Sequence, residues 1–237
     1  MTSLVDDSLG IGFALHPRPH PCYYLPDREA QDEAWLAPYL GADAYQRLMS
    51  EGFRRSGPIV YRPRCVACQA CVPLRVPVAR FRQSRSQRRC LRSNDDLVVR
   101  VGNPKLDDEH ADLYERYVEA RHPGGEQEGT REELESIVTT TLPMIEVAST
   151  APDGRLLAVS LLDVCPGGWS SVYCYFDPEE PGRGLGTFSI LVGLGLCRTR
   201  GLPWYYLGYW IAGAQTMDYK ATFRPHEILI DGQWTES

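Results

Sequence analysis

The alternation of apolar and polar positions divides this chain into short elements up to about residue 103 and a longer helix-then-strand series beyond it. The first twenty residues end in HPRPHP and cannot stay helical through those prolines, so an extended path across a surface is expected. DREAQDEAWLAPYL from Asp27, and then GADAYQRLMSEGF, predict two short helices separated by Pro38 and Gly41; the second carries Tyr45, Leu48 and Met49 at helical spacing. Ile59 to Tyr61 and Leu74 to Val78 read as short strands on either side of a cysteine loop. Ser84 to Ser93 contains no breaker and predicts a helix with arginines around its surface. Leu97 to Val101 reads as a strand closed by Gly102-Asn103-Pro104, and the division into residues 1–103 and 104–237 is drawn there.

Beyond Pro104, Leu113, Tyr117 and Val118 mark the apolar face of a helix that starts behind acids suited to an N-terminus and stops at His122-Pro123-Gly124-Gly125. A second helix is expected from about Arg131 to Thr141. Strands follow at Met144 to Ser149, Leu156 to Val164 and Ser170 to Phe176, joined by Pro-Asp-Gly and Pro-Gly-Gly turns. A glycine-rich link opens a helix from about Thr187 to Arg200, and strands at Trp204 to Leu207 and Glu227 to Ile230 close the chain. Helices, an antiparallel meander and a crossover helix predict an α+β layer arrangement, with no internal repeat.

Charge changes this picture. Between Glu51 and Asp95 there are eleven arginines and no acid, whereas the whole chain has 25 Lys+Arg against 31 Asp+Glu; the remainder, 14 against 31, carries a formal charge of −17. Such asymmetry concentrates positive potential on one region and favours a polyanionic partner over a merely solvated basic face. Lysine occurs only at 105 and 220, so the basic charge is guanidinium, suited to bidentate phosphate or carboxylate contacts. No apolar stretch approaches the roughly 18 residues of a membrane helix. The N-terminus has acids and prolines where a signal peptide needs a basic region and an apolar core, so a cytoplasmic protein without a membrane partner is expected. In that setting eight cysteines read as thiols or metal ligands rather than disulfides.

Cys65, Cys68 and Cys71 have the two-residue gaps that let thiolates converge on zinc or an iron-sulfur cluster. The next position of a ferredoxin-type run is Arg75, so the fourth ligand must come from elsewhere, with Cys22 or Cys90 as candidates; three buried apolar thiols are the alternative. Cys165, Cys174 and Cys197 fall on predicted core elements. The loop GRGLG, residues 182–186, joins a strand to a helix where backbone amides can hold an anion. In GNAT-fold acyl-coenzyme A transferases a Gln or Arg usually leads such a loop, and here that position is Pro181, which weakens coenzyme A as the ligand. The five histidines lack metal-ligand spacing, and no nucleophile elbow, Walker loop or paired-carboxylate motif occurs. Tyr205 to Trp210 and Asp218 to Pro225 put aromatics beside Lys220 and Arg224, either as core or as a surface for stacking and phosphate contact.

CYYLPDREAQ, the block from Gly52 to Arg92, the tripeptide ARH at 120–122, YLGYWI and YKATFRPHEIL together resemble the bacterial aspartate/glutamate leucyltransferases, members of the arginyl-tRNA-protein transferase family. The resemblance runs from about Pro21 to Trp234, and departs at GGEQEGTREEL, residues 124–134. It implies transfer of leucine from leucyl-tRNA to proteins beginning with Asp or Glu, marking them for N-degron proteolysis. It also implies a GNAT-like core that accepts aminoacyl-tRNA in place of coenzyme A, with no cofactor required for the chemistry.

On that reading Arg85, Arg88 and Arg89 contact the tRNA acceptor stem. One of Arg55, Arg62 and Arg224 pairs with the acidic side chain of the protein acceptor, and Asp177, Tyr209 and Lys220 orient its amine or relay its proton. Transfer of arginine, a GNAT acyl-coenzyme A transferase and a noncatalytic metal-containing RNA-binding module are the competing readings.

Overall fold

The computed structural model describes residues 12–122, 127–214 and 216–237. Part of the expected extended N-terminus, and residues 124–126 of the divergent segment, lie outside these. The chain runs through β1 (Phe13–Leu15), β2 (His20–Pro21), β3 (Glu29–Ala30) and β4 (Asp32–Leu36) to helix α1 (Ala42–Ser50). Next come β5 (Arg54–Ser56), β6 (Ile59–Pro63), β7 (Val72–Pro77), α2 (Arg85–Arg92) and β8 (Val98–Gly102). Helices α3 (Asp108–Arg121) and α4 (Arg131–Val138) precede the meander β9 (Met144–Thr150), β10 (Leu156–Cys165) and β11 (Gly168–Phe176). Helix α5 (Leu185–Thr199), β12 (Trp204–Trp210), β13 (Glu227–Ile230) and β14 (Gln233–Glu236) complete it.

The fold is α+β, built on an eight-stranded sheet ordered β14-β13-β7-β12-β11-β10-β9-β8. Its strands pair antiparallel except at β11 and β12, which are joined by the α5 crossover and run parallel. On β10, Val159 and Leu161 pack with Leu113, Tyr114 and Leu134 of α3 and α4, while Leu162 joins the core under α5. Helix α5 buries Leu185, Phe188, Ile190, Leu191 and Leu194. Gly193 is required there, because a Cβ would stand 2.4 Å from the Tyr205 hydroxyl oxygen.

One sheet spans the division at 103: β7 lies between β12 and β13, and β8 pairs with β9. One expectation is corrected, because Asp27 to Leu40 forms the strands β3 and β4 and turns rather than a helix. The alanines and acids of DEAWL favour a helix locally, but β4 pairs with β1 on one edge and β6 on the other, and Trp35 packs against Phe53. The second sheet, β1-β4-β6-β5, results. Helix α4 stops at Val138, short of Thr141, and β14, which the residue pattern did not mark, caps the sheet edge.

Candidate active site

β11 and β12 pair only at Gly168 to Ser170 against Trp204 to Tyr206. Beyond that the β11–β12 ladder stops, while β12 stays paired with β7 through Trp210 and bulges between Tyr206 and Gly208, where Gly208 takes φ +78°. Bulges bend strands and re-aim side chains, and this one opens a wedge between two central strands. Its consequence shows in β11, where Ser171 to Cys174 are half-buried although they lie mid-sheet.

Two cations meet at this wedge. Arg54, on β5 of the second sheet, is 7% exposed; one Nη donates to Ser170 Oγ at 2.8 Å, the other to the Ser171 carbonyl. Lys220 lies in a 3₁₀ turn, Asp218–Thr222, and donates from Nζ to the Tyr209 carbonyl at 2.8 Å, with Met217 Sδ at 3.1 Å. Burial, and then the Arg54 charge, push the Lys220 amine down to about 7.

The expected residues part company here. Lys220 and Tyr209 come together, but through the tyrosine backbone; the Tyr209 phenol donates to Gly52 O at 2.9 Å and is held well above an ordinary phenol by burial. Asp177 is engaged elsewhere, accepting from Arg116 and from the Glu179 amide, both at 2.9 Å, as a turn-bracing carboxylate. Arg55 forms a bidentate pair with Asp163, at 2.8 and 2.5 Å, in which both side chains are essentially inaccessible, so it has no fork to offer an acceptor. Arg62 pairs with Glu33 at 2.5 Å and stacks over Phe53, and Arg224 is exposed. Arg54, which the residue pattern did not single out, is the buried arginine at the wedge. Its signal was adjacency: in Arg54-Arg55 one guanidinium meets Asp163 and the other meets no carboxylate among the described residues.

Helix α2 bears the expected basic surface. Ser84 caps it reciprocally with Gln87, an arrangement worth about 1 kcal/mol. Arg85, Arg88, Arg89 and Arg92 are exposed, without an acidic partner among the described residues. Buried Gln87 ties the helix to the lysine turn, donating to the Thr222 carbonyl at 3.2 Å. At the far end Asn94 and Cys90 hold carbonyls of the glycine loop, so GRGLG is braced by α2.

The four candidate ligands, Cys22, Cys65, Cys68 and Cys71, gather electrostatically around Cys71. Burial first, then the other three, push its thiol up to about 12. The donors suit zinc or a cluster in kind but do not close on a common point: no group of three His, Cys, Asp or Glu among the described residues is arranged to hold a metal. Cys68 Sγ instead meets Arg28 at 2.9 Å, and Cys65 points at the Gln31 carbonyl. Arg75 is stacked between Trp204 and Trp234 and paired with Glu227. Cys90 lies at the glycine loop.

The wedge thus holds an amine of lowered pKa, tied through Gln87 to a helix of unneutralised arginines. The chain belongs to the arginine-tRNA-protein transferase family: the model of the family's N terminus matches residues 20–89 and that of its C terminus residues 109–230. It is 42% identical over 220 residues to the aspartate/glutamate leucyltransferases of Pseudomonas fluorescens SBW25 and Stutzerimonas stutzeri A1501, covering 92% of this chain and 93% of each relative. Among solved structures it is similar to FemX, with TM-score 0.48 and 10% identity over 72% of this chain and 60% of that one. No helix among the described residues is long and apolar enough to cross a membrane.

Proposed function

We propose that this enzyme is an aminoacyltransferase that moves leucine from leucyl-tRNA to the α-amine of proteins beginning with Asp or Glu, marking them for N-degron proteolysis in the cytoplasm. The observation that carries the reading is the connection from the open arginines of α2, through Gln87, to the turn that brings Lys220 to the wedge. In it Arg85, Arg88 and Arg89 hold the phosphates of the acceptor stem, and the aminoacyl end enters the wedge of a GNAT-like core.

The amine nitrogen attacks the ester carbonyl, an N–C bond forms, and the C–O bond to the ribose breaks. The proton lost by the amine ends on the departing ribose oxygen. An α-amine has a pKa of about 7.7–8.0, so a group titrating nearby can take that proton. Lys220 Nζ, with its lowered pKa, fits this task. The ester is already activated and no ATP is consumed. Catalysis rests on positioning and on polarising the carbonyl.

The test is transfer of radiolabelled leucine and, in parallel, arginine from charged tRNA to peptides beginning Asp, Glu, Asn or Ala. Leucine on the Asp and Glu peptides alone is expected. Arginine on the same peptides would replace the donor, and no transfer from verified charged tRNA would overturn the reading.

A further inference from the structure

The wedge carries more positive charge than it neutralises. Arg54 has five N–H donors and, among the described residues, its partners are the Ser170 hydroxyl and the Ser171 carbonyl, both neutral. The carboxylate on the adjoining strand, Asp163, is saturated by Arg55 from both oxygens. Lys220 adds a second basic group whose charge is felt against that of Arg54. An isolated ion taken out of water costs several kcal/mol even after relaxation, so buried charges are ordinarily paired.

A second polar group lies at the same place. The Tyr45 hydroxyl is fully buried, within the fields of Arg54 and Arg55, and faces the Ser170 hydroxyl as a hydrogen-bonding neighbour. Three features therefore converge at the closed end of the wedge: a guanidinium with no carboxylate hydrogen-bonded to it among the described residues, the Tyr45 hydroxyl and the Ser170 hydroxyl. Together they form a site for an anion that arrives with a substrate. Gly208 leaves bare backbone against the guanidinium, a Cβ there standing 3.4 Å from Arg54 Nε.

We propose that Arg54 is the specificity-determining residue that receives the side-chain carboxylate of the acceptor's N-terminal Asp or Glu, with the Tyr45 hydroxyl as an accessory donor. This rests on the acceptor rule proposed above. A permanent carboxylate suits the site better than the oxyanion of the reacting ester, because the charge to be balanced is present throughout the cycle and not only at the transition state. The planar fork matches a carboxylate in two parallel hydrogen bonds, and an amide isostere would leave Arg54 still unbalanced. Discrimination of Asp from Asn follows from this one residue. The acceptor's α-amine then lies on the side from which Lys220 approaches.

The test uses Arg54→Gln and Arg54→Lys in the full chain with saturating leucyl-tRNA and acceptor peptides beginning Asp or Asn. Arg54→Gln is expected to lower kcat/KM for the Asp peptide by roughly 30-fold or more, chiefly through KM, while changing the Asn peptide by less than about fivefold, so that preference collapses. Arg54→Lys keeps the charge without the fork and retains part of the preference. A preserved Asp-over-Asn ratio in Arg54→Gln, or an equal fall in kcat on both peptides, would overturn the assignment. Binding supplies a readout that does not depend on the variant folding: a peptide beginning Asp should raise the wild-type melting temperature and one beginning Asn should not. Equal shifts would count against Arg54. Wild-type enzyme that transfers nothing would remove the transferase reading, leaving this binding comparison to decide the anion site.

Discussion

Within the arginine-rich block two populations stand out that its composition does not distinguish. On β5 to β7, Arg55, Arg62 and Arg75 are drawn inward and matched with acids from outside the block: Asp163, Glu33 and Glu227. On α2, Arg85, Arg88, Arg89 and Arg92 remain in water and unmatched among the described residues. The difference lies in where the acids are. Strands of an acid-free block can be neutralised only across the sheet, by chain that folds against them, whereas a surface helix has no such neighbour and no need of one. A basic run is thus both a structural lock and a ligand surface, and neutralisation separates the two. Arg54 belongs to neither population, being buried like the first and unpaired like the second, which is why it stands out as a site.

The largest effect should come from breaking a buried lock. Arg55→Met leaves Asp163, 0% exposed, as a lone buried carboxylate, and should cost about 3–5 kcal/mol in urea unfolding. Arg55→Met combined with Asp163→Leu should recover most of that, because removing both charges is far cheaper than stranding one. If the single variant loses under ~1 kcal/mol, burial and pairing are not what separates the two populations.

Lys220 sharpens the comparison as a cation that can be switched off. Lys220→Arg fixes the charge and should lower kcat by about 100-fold or more if a proton moves through Nζ. In wild-type enzyme kcat/KM should rise with pH through about 7, the value to which burial lowers this amine, and the variant should lose that limb. The folded state binds fewer protons than the unfolded one between about 7 and the ordinary lysine value of 10.5. The penalty of burying the ammonium is therefore full below about 7 and relieved as pH rises, and Lys220→Met should flatten that part of the stability profile. An unchanged acid limb in Lys220→Arg would assign it to the acceptor amine instead.

On α2 the reverse dissociation of effects is expected. Arg85→Glu, Arg88→Glu and Arg89→Glu combined should leave unfolding free energy within ~1 kcal/mol, since these side chains are exposed and the Ser84–Gln87 cap is untouched. Binding of leucyl-tRNA should weaken, and the slope of log K against log salt should shrink by about 2 to 3, one phosphate contact per arginine. An unaltered slope would remove α2 from the tRNA surface.

Much of this was legible in the residues. Apolar spacing located α1 and α3, a run without breakers located α2 and a glycine-rich link α5; turn residues located the meander, and long quoted segments carried the family. What was not legible was pairing across the chain. DEAWL has helix-forming residues, and only its neighbours β1 and β6 make it a strand. Likewise, telling Arg54 from Arg55 required knowing that Asp163 would arrive from 108 residues away to lock Arg55. Tyr209 and Lys220 meet through the tyrosine backbone: side-chain chemistry announces a phenol, and only the fold reveals that its backbone carbonyl meets Lys220.

The smallest expected effect tests whether pairing or burial makes a lock. Arg64 pairs with Glu33 at 3.0 Å, as Arg62 does, but its side chain is 60% exposed. A pair in water gains little Coulomb energy and orders a long side chain, so Arg64→Ala should change stability by no more than ~0.5 kcal/mol. Arg62 still serves Glu33 and holds its carboxylate below the usual range against the opposing effect of burial, so that removal strands no charge. Arg62→Ala also removes the stack on Phe53 and should cost more than Arg64→Ala despite sharing the same acid. If the two cost the same, the number of ion pairs, rather than their removal from water, holds this block to the rest of the chain.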